Sequence, residues 1–391
     1  MSDVIVAGGG PAGAATALQL ARAGVDVTVI ERARFPRRKV CGEYQNTGAV
    51  DALDRLGLRD AVRAAASPLD GLRLVPPNAP AVELRFPREA LACERATLDA
   101  LVLDAAAAAG AHVMHGRVEE LLFDGARVCG AVVRDAGGVR RDVPGRFVVG
   151  ADGSGSVVAR KLGLTRPLRG IRRFAVGGHY SGFGDLERHV EMYVGAGAYF
   201  ALNPLDAVRT NVMVVVPARA LAAWSGDIDD GVRGKAAEIA GGHRPFERAV
   251  RIGPRVSIGP LAHRVRRTIA PGALLVGDAA GFLNPFTGQG VLLALISAEA
   301  AAAAVLTALR ERSMEGAAFE RYARERANDF AMRARLSAVV SCLIDVAPLA
   351  RRAVARLQRF PEAGVALMEA VAGACAPQRA FAPAVLGRLL L

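Results

Sequence analysis

A chain of 391 residues, 52% hydrophobic and 23% charged, is long enough for two or three lobes over a large core and too apolar to be disordered. Its formal net charge of +12 is almost all arginine, since lysine occurs only at Lys39, Lys161 and Lys235, and the arginines are dispersed, often beside acids as in Glu31-Arg32, Glu94-Arg95 and Glu311-Arg312. With 5% aromatic residues, that dispersion argues against a nucleic-acid partner; an odd number of cysteines without a C-x-x-C pair, and scattered histidines, argue against disulfides and a metal site.

In chain order, residues 3–7 predict an apolar strand running into Gly8-Gly9-Gly10-Pro11-Ala12-Gly13. A helix pattern over 12–23 stops at Gly24 and a second strand follows at 25–30, which makes a βαβ unit. The strand pattern begins so soon after Met1 that no signal peptide fits before it, so a cytoplasmic protein is expected. Residues 45–66 predict a helix, and 69–94, with Pro76, Pro77, Pro80 and Pro87, a short β excursion. A helix from Thr97 to Ala109 and strands near 112–118, 127–134 and 146–150 come next.

From about 171 to 259 the pattern changes to long alternating strands, at 173–183, 188–194, 198–203, 208–216 and 250–259, with a helical insert near 218–240. This predicts an antiparallel second lobe. Residues 273–276 form another buried strand, and the chain beyond 288 is almost wholly helical, broken at Pro348, Pro361 and Pro377. The run 290–309 is long enough to cross a membrane. It is Ala-rich, carries Glu299 at its centre and follows a glycine-rich turn, so a buried soluble helix is the expectation.

The strongest local signal is Gly8-x-Gly10-x-x-Gly13 between strand and helix. Gly8 permits the tight turn, Gly10 lets the backbone approach a pyrophosphate, and Gly13 lets the helix that starts at Pro11 and Ala12 pack close. That helix N-terminus offers free N–H groups to phosphate. Glu31, at the end of the second strand, is placed to accept hydrogen bonds from a ribose, which suits FAD or NAD; Arg32 and Arg34 leave NADP open. Two further segments accompany this fingerprint. Residues 147–160 carry a buried strand into Gly150-Ala151-Asp152-Gly153, and residues 274–290 carry another into Gly277-Asp278, then Thr287-Gly288-Gln289-Gly290 at the head of the apolar helix. That helix start would stabilise a ring that becomes anionic on reduction.

These three segments together resemble the p-hydroxybenzoate hydroxylase-like flavoproteins, most closely their geranylgeranyl reductase branch, over residues 2 to 310. The resemblance implies an α/β fold: a Rossmann-like FAD-binding domain from residues 1–68, 95–165 and 266–310, an inserted antiparallel-sheet substrate domain from 69–94 and 166–265, and a C-terminal helical region over 311–391. It implies FAD, with Gly8, Gly10, Pro11, Ala12, Gly13, Glu31 and Arg32 at its adenosine diphosphate half. Arg95 would contact the cofactor and Asp152 belong to the second fingerprint. Gly277 and Asp278 would hold the ribityl or pyrophosphate region, and Gly288, Gln289 and Gly290 lie beside the ring. Arg34, Arg37 and Arg38 would sit near the adenosine end with Arg32.

By the same resemblance, Pro36-Arg37-Arg38-Lys39-Val40-Cys41-Gly42-Glu43 is the segment that approaches the flavin, so Cys41 lines the active site and Glu43 is an acid–base group. Read from the residues alone, Cys41 is equally a packed thiol and Glu43 a helix-start carboxylate. The branch's aromatic substrate box maps onto Tyr199, Ala201, Asn203 and Pro204, where tyrosine and proline persist but tryptophan and phenylalanine do not; Trp224 lies elsewhere. The double-tryptophan box and lysine of the related halogenases have no counterpart. His179, Tyr180 and Tyr193 lie on the other strands, lining a cavity or packing. The expectation is an FAD-dependent oxidoreductase, with monooxygenation of an apolar, polyketide-like or aromatic molecule favoured because the box is altered. Reduction of C=C bonds in an isoprenoid lipid is the alternative, and a non-catalytic flavin- or lipid-binding protein a further one. One dinucleotide fingerprint implies that NAD(P)H binds transiently or that a separate reductase supplies electrons. Arg351, Arg352, Arg356 and Arg359 and the final Leu-Leu-Leu suggest either a capping helix or contact with an anionic membrane.

Overall fold

The computed structural model describes residues 2–167, 172–184, 186–195, 197–224, 227–243, 245–282, 284–311 and 316–390; Leu283, in the motif run 274–290, and the final Leu391 lie outside them. The chain opens as a βαβ unit of β1 (Ser2–Ala7), α1 (Pro11–Arg22) and β2 (Val27–Glu31). Both strands are apolar on both faces: Val4, Val6, Val27 and Val29 join one core, Ile5, Ala7 and Ile30 another. A parallel strand covered from both sides requires that pattern.

Next come β3 (Tyr44–Gln45), α2 (Thr47–Arg55), α3 (Arg59–Ala64), β4 (Ser67–Val75) and β5 (Val82–Ala92). The helix expected over 45–66 is two helices. Gly57 takes a φ of 68°; its N–H donates to Asp54 and that of Leu58 to Leu53, the paired bonds that end a helix at a left-handed glycine. Then follow α4 (Arg95–Ala108), β6 (His112–Asp124), β7 (Arg127–Asp135), β8 (Arg140–Gly150) and α5 (Val157–Lys161). β6 and β8 outrun the apolar stretches that predict them. β6 pairs with β2 as far as His115 and then with β7, whereas β8 pairs first with β7 and then with β1. Their outer halves carry polar residues such as Arg140, Arg141 and Asp142, which conceal the strand in the sequence.

The second sheet is built from β9 (Arg173–Ser181), β10 (His189–Gly195), β11 (Ala198–Pro204) and β12 (Thr210–Pro217), with the helices α6 (Ala218–Ala222) and α7 (Ile228–Ala240) and the short strands β13 (Val250–Arg251) and β14 (Val256–Ile258). Its order is β13-β9-β12-β11-β10-β4-β5-β3, with β14 beside β9; the pairing of β10 with β4 is parallel. Tyr44 and Gln45, inside the span assigned to the first lobe, thus add an edge strand to the second sheet. One face of that sheet packs Tyr180, Tyr193 and Phe200 with Val232, Ala236 and Ile239 of α7; the Tyr193 and Phe200 rings stack 4.4 Å apart. Neither Tyr180 nor Tyr193 lines a cavity, because alternation along the strands turns both to that face.

β15 (Ile269–Ala270) and β16 (Ala273–Leu275) complete the first sheet, β16 running parallel to β8. A 3-10 turn at Gly277–Ala280 leads to α8 (Gly290–Arg310), α9 (Ala317–Asp345), α10 (Ala347–Arg359), α11 (Pro361–Val371) and α12 (Pro383–Leu390). Among the described residues α8, with mean hydropathy 2.1, is the one helix long and apolar enough to cross a membrane. Leu292, Leu295, Ala298, Ala301 and Val305 instead pack with Ala14, Ala17, Leu18 and Leu53 in the first core. The C-terminal helices roof the second sheet, where Ala350, Val354, Leu357 and Met368 join Tyr199, Met213 and Val215. Arg356 stacks on Phe360 at 4.5 Å and donates to the Arg388 carbonyl at 2.6 Å, so this arginine works inside the helical cap.

Candidate functional site

One cavity of about 900 Å³ runs between the two sheets and under the helical roof. At one end lies the N-terminus of α1. A Cβ on Gly13 would sit 1.9 Å from the Gly8 carbonyl, and one on Gly8, whose φ is 106°, would sit 2.6 Å from the Ala151 carbonyl. Helix and strand therefore close only over bare backbone. α1 has no side-chain cap, Gly10 being its N-cap and Pro11 its first residue, so its leading N–H groups face the cavity unpaired. Gly8, Gly10, Pro11, Ala12, Glu31 and Arg32 line the wall; Gly13 stands behind it as a packing position. Glu31 Oε2 accepts the Gly9 N–H at 2.7 Å and Oε1 the Ala33 N–H at 2.8 Å. The carboxylate thereby shapes the cradle that it also faces.

Basic groups gather along the next stretch. The buried Asp99 accepts Arg95 Nε and Nη2 at 2.7 and 2.8 Å, and Arg37 Nη1 lies 3.1 Å from its Oδ2. Two guanidiniums on one carboxylate leave a net positive wall, to which Arg38 and Lys39 add; Arg34 is exposed and does not line the cavity. Burial, then the neighbouring Arg95, push the Lys39 amine below its usual value, while Asp278 opposes them. Burial pushes the Asp278 carboxyl up against the pull of Lys39, Arg95 and Arg326. Gly277 is not in the wall: a Cβ there would meet that of Ala12 at 2.8 Å. Asp152 lines the cavity, but its carboxylate caps α5, accepting Ser156 Oγ at 2.5 Å and the Val157 N–H at 2.6 Å.

At the far side α8 begins, also without a side-chain cap. Gly288 takes a φ of 60° with the Tyr44 ring against it, and Gly290 faces open space. The Gln289 amide donates to the Val371 carbonyl at 2.9 Å, leaving its buried Oε1 without a partner, as is Thr287 Oγ1. Two unsatisfied polar atoms and an uncapped helix end point at the space beyond Asp278. A flat ring with polar edges, joined through a diphosphate to an adenosine, matches both ends of the cavity at once. A model of the family described as the FAD binding domain matches residues 1–335. The chain belongs to this family.

This flavoprotein is 32% identical to a menaquinone reductase of Mycolicibacterium smegmatis over 74% of its length and 73% of the relative's. It is 31% identical to a digeranylgeranylglycerophospholipid reductase of Methanopyrus kandleri over 82% and 84%. Its fold superimposes on a flavin-dependent brominase with a TM-score of 0.84, at 22% identity over 96% and 94% of the two chains. A geranylgeranyl bacteriochlorophyll reductase-like protein of Thermoplasma acidophilum gives 0.79, at 20% identity over 99% and 98%. FAD is the cofactor, and the p-hydroxybenzoate hydroxylase-like fold expected from the motifs is the one observed.

Beyond the flavin end the wall becomes apolar. Leu72, Leu74 and Leu84 come from one half of the second sheet, Val190, Met192 and Met213 from the other, and Val340, Leu357, Leu367 and Val371 from the roof. Tyr199 joins this arm with its hydroxyl donating to Asn284 Oδ1 at 3.2 Å and its ring edge-on to Phe286. Cys41 lies in the wall, its thiol against Arg95. The Cys41 and Gly42 carbonyls accept the amides of Asn211 and Asn203 at 2.8 and 2.9 Å. These two asparagines, paired across β11 and β12, tie the segment from the first lobe onto the second sheet.

Glu43 is not in the cavity wall. Its φ of 56° turns the side chain behind the segment, where Oε1 accepts the Arg95 N–H at 3.1 Å and Oε2 lies 2.8 Å from His179 Nε2. Sequence reasoning placed Lys39 in the flavin-approaching segment without a role of its own, and missed the Arg37–Asp99 contact and the roof. Asp99, four residues after Arg95 on one helix face, was the available signal for the second.

Proposed function

We propose that this flavoprotein reduces C=C bonds in a long, apolar, isoprenoid-like chain. The observation that carries the reading is the apolar arm: a single cavity of about 900 Å³ holds the cofactor cradle at one end and, at the other, a hydrocarbon-lined tunnel from both halves of the second sheet and the roof. Pockets for drug-sized ligands bury most of the ligand against such walls. We assign Gly8, Gly10, Pro11, Ala12, Glu31 and Arg32 to the adenosine diphosphate half of FAD, and Asp278, Gly288, Gln289 and Gly290 to its other half. When bound and reduced, FAD supplies the hydride. The protein excludes water from the arm, presents the α8 N-terminus to the developing negative charge and holds a proton donor at the wall.

The altered aromatic box, which favours oxygen insertion when the sequence is read alone, has a different consequence in the structure. Ala201 lines the arm with a small side chain and the Asn203 amide secures Gly42, so the altered box still forms part of the cavity wall. Both sequence relatives are named as reductases, which supports the same reading. Electrons arrive from a transiently bound NAD(P)H or a separate reductase.

The test is anaerobic. Holoenzyme reduced with dithionite is mixed with geranylgeraniol, and flavin absorbance and product mass are followed. Return of the oxidised spectrum with gain of hydrogen in the product supports reduction. A flavin that stays reduced, while admission of oxygen with an aromatic acceptor yields an oxygenated product, replaces this reading by monooxygenation.

A further inference from the structure

A second, water-sized chamber of about 20 Å³ lies behind the Cys41–Gly42 segment, lined by Cys41, Glu43, Glu94, His179 and Asn211, with Arg38 and Lys39 at its edge. Arg38, Lys39 and Cys41 belong to the walls of both this chamber and the large cavity, whereas Glu43 and His179 line the chamber but not the large cavity. A volume of that size admits one water, and its walls supply the polar partners that such a water needs.

The segment between the two spaces is held at every residue. Asn211 and Asn203 fix the Cys41 and Gly42 carbonyls. The Cys93 N–H donates to the Glu43 carbonyl at 2.9 Å, and the Glu43 carboxylate is gripped by the Arg95 N–H and His179. Glu43 keeps a left-handed backbone, a strained state for a non-glycine residue that persists where the surroundings over-determine it. That strain brings a buried carboxylate and a part-buried imidazole together behind a thiol.

We propose that the His179–Glu43 pair holds a proton and returns it, through one water in the chamber, to the Cys41 thiol, which protonates the substrate in the large cavity. The proposal rests on the reductive reading above. Reducing one C=C bond consumes a hydride, delivered to one carbon from the reduced cofactor, and a proton on the neighbouring carbon. The Cys41 S–H bond breaks as the new C–H bond forms, leaving a thiolate beside the Arg95 guanidinium. The proton shared by Glu43 and His179 then passes to sulfur, and the pair takes another from solvent at the chamber edge, where Arg38 is exposed. Tyr199 is already engaged with Asn284; Lys39 is the rival donor.

FAD-loaded wild type and the Cys41→Ala, Glu43→Gln and His179→Gln variants are compared in two measurements, with flavin content and melting temperature confirming folding. In single turnover with geranylgeraniol, loss of the relay slows flavin reoxidation about a hundredfold in all three variants, the usual effect of losing a positioned acid. Independently, alkylation of Cys41 by iodoacetamide is timed by peptide mass at fixed pH, without turnover. Removing the carboxylate charge favours the thiolate and removing the imidazole disfavours it. E43Q therefore speeds alkylation and H179Q slows it, each by about threefold or more. A purely structural role would loosen the segment and speed both.

Alkylation rates that move together or not at all overturn the proposal, as does wild-type reoxidation in C41A or turnover lost in Lys39→Met but retained in C41A. Failure of wild type itself to be reoxidised overturns the reductive reading and, with it, the role of Cys41 as donor; opposite alkylation shifts then still show that the pair and the thiol are coupled.

Discussion

Replacing Glu31 by glutamine tests the cofactor cradle with almost no change in shape. In the native chain the carboxylate accepts two backbone N–H groups, from Gly9 and Ala33, on a side chain that is 7% exposed. A hydrogen bond to a buried charge contributes about 1.5–3 kcal/mol. Glutamine keeps one acceptor and turns its NH₂ toward the other N–H, so one bond is lost and one donor is left facing a donor. The expected destabilisation is about 2–4 kcal/mol. At ~2.1 cal/mol/K per residue, unfolding 391 residues carries about 0.8 kcal/mol/K of entropy, so the melting temperature falls by about 2–5 °C. Displacement of the Gly9 loop also misaligns the α1 N-terminus, weakening FAD about 10- to 100-fold, at 1.4 kcal/mol per factor of ten. Titration of apoprotein with FAD, followed by flavin fluorescence, together with thermal melts reads both quantities. An E31Q variant that binds FAD within about threefold of wild type and melts at the same temperature would refute the assignment of Glu31 to the cradle.

Gly13→Ala puts a methyl 1.9 Å from the Gly8 carbonyl; the expected cost is about 1–3 kcal/mol or more, seen as loss of bound flavin on purification. Asp99→Asn leaves Arg95 and Arg37 without their carboxylate and destabilises the fold by about 3–5 kcal/mol, measured by urea unfolding. The Cys93 thiol, pushed up to about 12 by burial and then by Glu43, ionises more readily unfolded than folded. Above pH 9 the folded state therefore binds more protons, and stability declines as pH rises from about 9 toward 12, by about 1 kcal/mol at pH 10. Cys93→Ala, compared with wild type in denaturant melts across that range, should flatten the decline. Ala201→Trp fills part of the apolar arm; reduction of a C20 isoprenoid should fall more than that of a C10 one, and equal losses would place the chain elsewhere.

The first lobe was legible because its three glycine-bearing turns each follow an apolar strand, and local chemistry sets both features. β6 and β8 were read short because half of each pairs in solvent, where alternation gives way to arginine and aspartate. The place of Tyr44–Gln45 at the edge of the second sheet was hidden, since a two-residue strand has no periodicity. The roof was hidden for another reason: α10 and α11 announce apolar faces but not what those faces meet, so the tunnel beneath them was not foreseen. Cys41 was legible as a wall residue. That Glu43 turns its back on the cavity depends on one left-handed backbone angle that an ordinary glutamate does not signal. The chamber it shares with His179, 136 positions away, is a product of the assembled fold.

The alanines of α1 and α8 carry a consequence for the apoprotein. Ala12 meets Gly277 so closely that a methyl there would lie 2.8 Å from its Cβ, and Ala14, Ala17, Ala298 and Ala301 are fully buried in the core the two helices share. α1 starts at one end of the cofactor cavity and α8 at the other, so their mutual packing sets the distance between the two anion-seeking ends. A slip of one helix along the other would put both out of step with a ligand of fixed length. The small-residue seam acts as a caliper gauged to one molecule, and that molecule in turn clamps the seam.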